Sequence, residues 1–184
     1  MKWFSKKQSS SEQCLVDSGN QIKNNPGLPL LPGTQAPDFN LPSSTGDRIS
    51  LSQYQGSPVI LTFYPADWSR VCGDQLVLYN EVLPIFKQFN AVLMAISVDS
   101  TWSHKAFAEQ RNLNFHLLSD FEPKGEVSRL YGVYNRNKGT SQRALFVVDS
   151  KGIIHWNYVS PDDINPGADG ILRALESIQN QRSS

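Results

Sequence analysis

The sequence predicts an α/β fold with a central mixed β-sheet flanked by helices on both faces, and three observations carry that expectation. The runs "SPVILTFYP" and "AVLMAISVD" are continuously apolar over strand length and rich in β-branched residues, as strands buried on both faces are. Segments with apolar residues at helical spacing follow each of them. A late pair of apolar runs, "RALFVVDSKGIIHWNYV", encloses a Ser-Lys-Gly turn and predicts an antiparallel hairpin.

In chain order, residues 1–30 are polar, rich in Ser, Gln, Asn and Lys, and too poor in apolar side chains to offset the entropy of ordering. They are expected to form a flexible extension ahead of one domain, residues 31–184. "PGLPLLPGTQAP" brings the chain in through proline-restricted, extended backbone. "FNLPSSTGDRISL" predicts an N-terminal β-hairpin, because Ile49 and Leu51 alternate with Arg48 and Ser50 beyond a Thr-Gly-Asp turn. After the first buried strand, Leu76, Tyr79, Leu83 and Phe86 repeat at helical spacing, with Pro84 placed to kink the helix. The second buried strand leads to "TWSHKAFAEQRNL", a helix behind a Ser/Thr cap. A short strand-like link "FHLLSD", a short helix "GEVSRLYGV", the hairpin and the amphipathic "GADGILRALESIQNQR" complete the chain. Strand–helix–strand units require parallel pairing with right-handed crossovers, and the hairpin adds antiparallel strands. That combination is the thioredoxin-like arrangement.

Composition narrows the function. The 184 residues suffice for one well-packed core, and 17 basic residues balance 17 acidic ones. With no basic stripe and no interleaved aromatic platform, neither nucleic acid nor an anionic membrane is an expected partner. The three histidines, His104, His116 and His155, match no metal-ligand spacing, so no metal and no cofactor is expected. No apolar run approaches membrane-spanning length, and the first residues lack the apolar core of a secretory signal. Two cysteines, Cys14 and Cys72, cannot make a disulfide framework, and free thiols fit a reducing, cytoplasmic setting.

Cys72 sits behind a buried strand, at the start of a helix, where unpaired N–H groups and the positive end of the helix dipole favour thiolate over thiol. Burial as a small apolar side chain is the other reading of a lone cysteine. Its surroundings choose between them. Pro65-x-x-x-Ser69-x-x-Cys72, preceded by "LTFY", resembles the active-site motif of the peroxiredoxins, thiol peroxidases on a thioredoxin-like fold. Arg143, opening "RALFVVD", stands where that family places an arginine beside the cysteine. "FHLLSDFEPKGEVSRLYGVYN" adds a likeness to the one-cysteine, alkyl hydroperoxide reductase E type, and the resemblance spans about residues 32–179.

The resemblance implies a Cys72 thiolate that attacks hydrogen peroxide or an organic hydroperoxide and becomes a sulfenic acid. It implies that Arg143 stabilises the thiolate and binds the peroxide, that Ser69 and the amides of Val71 and Cys72 orient it, and that Pro65 shields the sulfur. Trp68 is a candidate for an apolar collar around the substrate. Many members carry a glutamate three residues after the cysteine, whereas Gln75 stands here and brings no charge. No second cysteine occupies a known resolving position, so an external thiol is the expected reductant, either a low-molecular-weight thiol or a thioredoxin- or glutaredoxin-like protein. Cys14 is the alternative resolving thiol. A homodimer is implied as well. A non-catalytic peroxide sensor would need the same reactive thiolate, while a disulfide oxidoreductase would need a second neighbouring thiol.

Overall fold

The computed structural model describes residues 27–182, and a five-stranded mixed sheet organises them. A small antiparallel hairpin comes first, β1 (Asn40–Pro42) and β2 (Arg48–Ser50), followed by a 3-10 turn over Leu51–Tyr54. The sheet itself runs β5-β4-β3-β8-β9, formed by β3 (Val59–Phe63), β4 (Val92–Ser97), β5 (His116–Ser119), β8 (Arg143–Val148) and β9 (Ile154–Ser160). β3, β4 and β5 are parallel neighbours, whereas β8 is antiparallel to both β3 and β9. The late hairpin therefore docks on β3, so the two predicted buried strands and the hairpin form one surface.

The helices are α1 (Arg70–Glu81), α2 (Leu83–Gln88), α3 (Thr101–Arg111), α4 (Glu126–Leu130) and α5 (Asp169–Arg182). The single kinked helix expected around Pro84 is two helices, broken at Val82. The reason is local: Pro84 has no N–H for the Asn80 carbonyl, but its fixed φ suits the first turn of α2. Ser100 caps α3 as expected, its hydroxyl accepting from the Ser103 N–H at 3.3 Å. A hairpin of two-residue strands, β6 (Tyr134–Asn135) and β7 (Thr140–Ser141), lies between α4 and β8. It has no apolar alternation to announce it.

Strand alternation divides the core in two. Leu61 and Phe63 of β3, Met94 and Ile96 of β4, and Phe146 of β8 pack with Phe39 of the entry segment, Ile49 of β2 and the α4 side, including Val127 and Tyr131. Ile60, Leu93, Leu145 and Val147 point the other way, onto Leu76 and Tyr79 of α1, Phe86 of α2, Phe107 of α3 and Ile171 and Leu175 of α5. Cys72 belongs to this second cluster. Each such side chain, taken fully out of water, contributes about 1.5–3 kcal/mol.

Packing against the domain begins before residue 31. Leu30 is buried; its N–H donates to the Tyr131 carbonyl at 3.2 Å, and its carbonyl accepts from Asn157 Nδ2 at 2.7 Å. Gly132 permits this approach: it holds φ +70°, and a Cβ there would stand 1.8 Å from the Leu28 carbonyl oxygen. Gly132→Ala is expected to lower stability by about 1–3 kcal/mol through strain and displacement of the entry segment, read as an earlier denaturant midpoint.

Candidate active site

The turn between β3 and α1 sets the sulfur's position. Ser69 is the extended N-cap residue of α1, so Arg70, Val71 and Cys72 occupy the first three helical positions. The first intrahelical bond is Gly73 N–H to the Ser69 carbonyl at 2.9 Å. The amides of Arg70, Val71 and Cys72 are thus the donors that a helix start leaves without a partner in the helix. Ser69 makes no side-chain capping bond, which leaves its hydroxyl available for other work.

Tertiary structure brings Arg143 to Cys72 across 71 residues of sequence. Arg143 opens β8 on the same sheet face as Leu145 and Val147, and it is fully buried. Its Nη2 stands 3.4 Å from Cys72 Sγ and donates to the Asp162 carbonyl at 2.8 Å. Nη1 donates to Gln75 Oε1. Nε is buried and has no hydrogen-bond partner among the described residues. A buried, unsatisfied donor on a guanidinium beside a thiol is costly in isolation and useful to an arriving oxygen.

Gln75 is itself buried, one helical turn beyond Cys72. Its Nε2 donates to Thr62 Oγ1 at 3.2 Å and to Tyr79 Oη at 3.1 Å, and the Tyr79 hydroxyl donates to the Gly167 carbonyl at 3.1 Å. Burial pushes the Tyr79 phenol well above its ordinary range, so it stays neutral and keeps that proton.

A second polar group sits under the same turn. Asp67 and His104 are both fully buried, with Asp67 Oδ1 2.9 Å from His104 Nδ1. The other ring nitrogen, Nε2, is 3.1 Å from the Leu118 carbonyl oxygen. The ring satisfies both acceptors only when both nitrogens carry protons, which makes the contact an ion pair. Asp67 also accepts from Tyr64 Oη at 2.7 Å and Ser103 Oγ at 2.6 Å, while its N–H donates to Asp99 Oδ2 at 3.0 Å. Burial alone would raise the Asp67 carboxyl, but His104, Ser103 and Tyr64 together hold it below its ordinary value. The turn is therefore fastened to Asp99 just beyond β4, to α3 and, through His104, to β5.

The candidates named from sequence divide accordingly. Cys72 and Arg143 meet directly, and Ser69, Val71 and Pro65 belong to the turn that carries the sulfur. Trp68 is half exposed and committed to α3, donating from Nε1 to Ser103 Oγ at 3.1 Å and standing edge-on to Phe107. Cys14 lies outside the described residues. Sequence reasoning missed Asp67, His104 and Tyr79. The available signals were an acid inside the Pro65–Cys72 motif and a histidine three residues before Phe107 on one helical face.

The chain is similar to known proteins over most of the described residues. The sequence model of the AhpC/TSA family matches residues 32–157. The chain is 39% identical over 125 residues to alkyl hydroperoxide reductase E of Mycobacterium tuberculosis, covering 67% of this chain and 82% of that one. It is 32% identical over 159 residues to thioredoxin peroxidase of Fasciola hepatica, covering 81% of each. Among solved structures, Enterococcus faecalis AhpC superposes with a TM-score of 0.77 at 29% identity, covering 83% of this chain and 95% of that one. Peroxidoxin BcpB from Mycobacterium tuberculosis gives 0.74 at 30%, covering 80% and 97%.

The Asp67 carboxyl is depressed in the folded state, so its contribution is present above the ordinary carboxylate value of 3.8 and lost as pH falls further. Asp67→Ala, which strands His104, is expected to cost about 3–5 kcal/mol at neutral pH. Denaturant melts from pH 7 down to pH 3 should show the gap between variant and parent closing in acid.

Proposed function

This chain belongs to the AhpC/TSA family and is a thiol-dependent peroxidase, and we propose that Cys72 is the sulfur that reduces the peroxide. The observation that carries the assignment is the buried contact of Arg143 Nη2 with Cys72 Sγ at 3.4 Å, at the start of α1. Guanidinium charge and helix-end amides both stabilise a thiolate.

The thiolate attacks one peroxide oxygen in line with the O–O bond. An S–O bond forms and the O–O bond breaks. The leaving oxygen departs with the electron pair, takes a proton and becomes water or an alcohol, while the sulfur is oxidised to a sulfenic acid. Arg143 Nε, which has no partner among the described residues, supports a role in binding the peroxide while Nη2 holds the sulfur. Ser69 Oγ and the Val71 and Cys72 amides supply donors to the shifting charge. Pro65 shapes the turn and shields the sulfur from water, and Trp68 walls the α3 side of the site for organic hydroperoxides.

Recycling uses an external thiol. It condenses with the sulfenic acid, releasing water and leaving a mixed disulfide that a second thiol reduces. Cys72 is the sole cysteine among the described residues, and a relative named thioredoxin peroxidase supports a thioredoxin-like donor. The active species is a homodimer in this reading, to be checked by sedimentation of the full chain.

Stopped-flow tryptophan fluorescence tests the assignment. Cys72→Ser is expected to abolish oxidation by hydrogen peroxide and by an organic hydroperoxide, and Arg143→Gln to slow it about a hundred- to a thousandfold. Cys14→Ser should retain both oxidation and turnover with an external thiol. Oxidation of the parent no faster than a free thiol at the same pH would overturn the assignment.

A further inference from the structure

Resting on that assignment of Cys72, we propose that Ser103 is a positioning residue for substrate selectivity: its hydroxyl ties the Trp68 indole to the buried Asp67–His104 pair and holds it as the apolar wall for the organic part of a hydroperoxide. The bridge joins two elements. Trp68 belongs to the β3–α1 turn, one residue before Ser69 and four before Cys72, whereas Ser103 lies in the first turn of α3. Ser103 Oγ stands 2.6 Å from Asp67 Oδ2, and Trp68 Nε1 stands 3.1 Å from the same Oγ. Asp67 is fully buried while Trp68 is 56% exposed, so one hydroxyl links an interior charge to a side chain at the surface.

Each hydrogen bond in this bridge has a fixed direction. The Asp67 carboxylate only accepts, so the single Ser103 hydroxyl proton is committed to it. The indole N–H only donates, and the Ser103 oxygen keeps lone pairs to receive it. An ionised acceptor strengthens the Ser103 bond and makes the hydroxyl oxygen a better acceptor for the indole. The charge itself is anchored elsewhere: His104 Nδ1 and Tyr64 Oη meet Asp67 Oδ1 at 2.9 Å and 2.7 Å, and His104 Nε2 meets the Leu118 carbonyl.

The tether decides where the indole stands. Edge-on contact with the buried Phe107 ring, at 5.3 Å between centroids and 78°, supports one border of Trp68, and the Ser103 bond fixes Nε1. Phe107 shares its core cluster with Cys72, so both supports of the indole are tied to the layer that holds the sulfur. Hydrogen peroxide has no organic part and gains nothing from an apolar wall, whereas an aryl or alkyl hydroperoxide removes apolar area from water against it. Without the Ser103 hydroxyl, Phe107 alone restrains the ring. Asp67 keeps His104 and Tyr64, so the turn that carries the sulfur stays fastened.

The test compares S103A and S103T with their parent, all in the full-length chain carrying Cys14→Ser so that one thiol reports. Oxidation by hydrogen peroxide and by cumene hydroperoxide is followed by rapid-quench alkylation of the remaining thiol, so no tryptophan serves as the reporter. S103A is expected to lower the cumene hydroperoxide rate about three- to tenfold and the hydrogen peroxide rate by less than about twofold, because one apolar surface is lost. S103T keeps the hydroxyl and should keep the parent ratio. W68F breaks the same bond from its other end and should also lower the cumene hydroperoxide rate, which serves if S103A does not fold. A second readout needs no peroxide: in protein labelled with 5-fluorotryptophan, the fluorine resonance missing from W68F reports the Trp68 ring. S103A is expected to move that resonance, and S103T to leave it in place. Equal losses for both peroxides, an unmoved Trp68 resonance in S103A, or a selective loss repeated in full when S103A is added to W68F would each overturn the proposal. A parent that reacts with neither peroxide defeats the assignment of Cys72, while the Trp68 resonance still judges the tether.

Discussion

The constraint on which the site depends is the burial of one guanidinium. Arg143 is entirely removed from solvent, and a charged group in that position must be met by acceptors from several directions. They come from separate parts of the chain: the side chain of Gln75 on α1, the sulfur on the same helix, and the Asp162 carbonyl beyond β9. Thr62 on β3 and Gly167 before α5 hold the next layer through Gln75 and Tyr79. Losing any one of these segments leaves a buried donor unmatched. The same contacts that make the arginine tolerable therefore fix the sulfur relative to the sheet.

A buried charge pair does comparable work under the same turn. Asp67 and His104 join the β3–α1 turn to α3 and to the β5 carbonyl of Leu118. Asp67 lies five residues before Cys72, so the ion pair restrains the backbone that delivers the sulfur. The two polar groups are built differently. The Asp67–His104 pair balances its own charge, whereas Arg143 is surrounded by neutral acceptors and the thiol. One arrangement anchors the turn, and the other acts on the reacting atom.

The fold supplies both through strand alternation. Thr62 and Leu145 are paired neighbours on β3 and β8, and both face the layer of α1 and α5. Arg143 lies two residues before Leu145 and so emerges on that same face. A one-residue slip of β8 against β3 would turn Arg143 toward Phe39 and Tyr131, with no acceptor set for its donors. Register is held by apolar packing on both faces, since Leu145 and Val147 fit one layer and Ala144 and Phe146 the other.

By itself the sequence determined the element order, the mixed sheet, the cap of α3 and the placement of Cys72 at a helix start, because these follow from local pattern: periodicity, turn residues and capping chemistry. Resemblance, carried by Pro65, Ser69, Cys72 and Arg143, added the chemistry. What needed the tertiary structure were the distances and directions of long-range polar contacts. Whether Gln75 lies buried against Arg143, which way its amide points, and whether His104 meets Asp67 depend on residues up to 88 positions apart being brought together. The hairpin β6–β7 was invisible because its strands are too short to have a period, whereas Pro84 announced a kink that became a complete break at Val82. A hydrogen bond's direction is set by every partner in its chain, and the last acceptor for Gln75, the Gly167 carbonyl, carries no side-chain signal in the sequence.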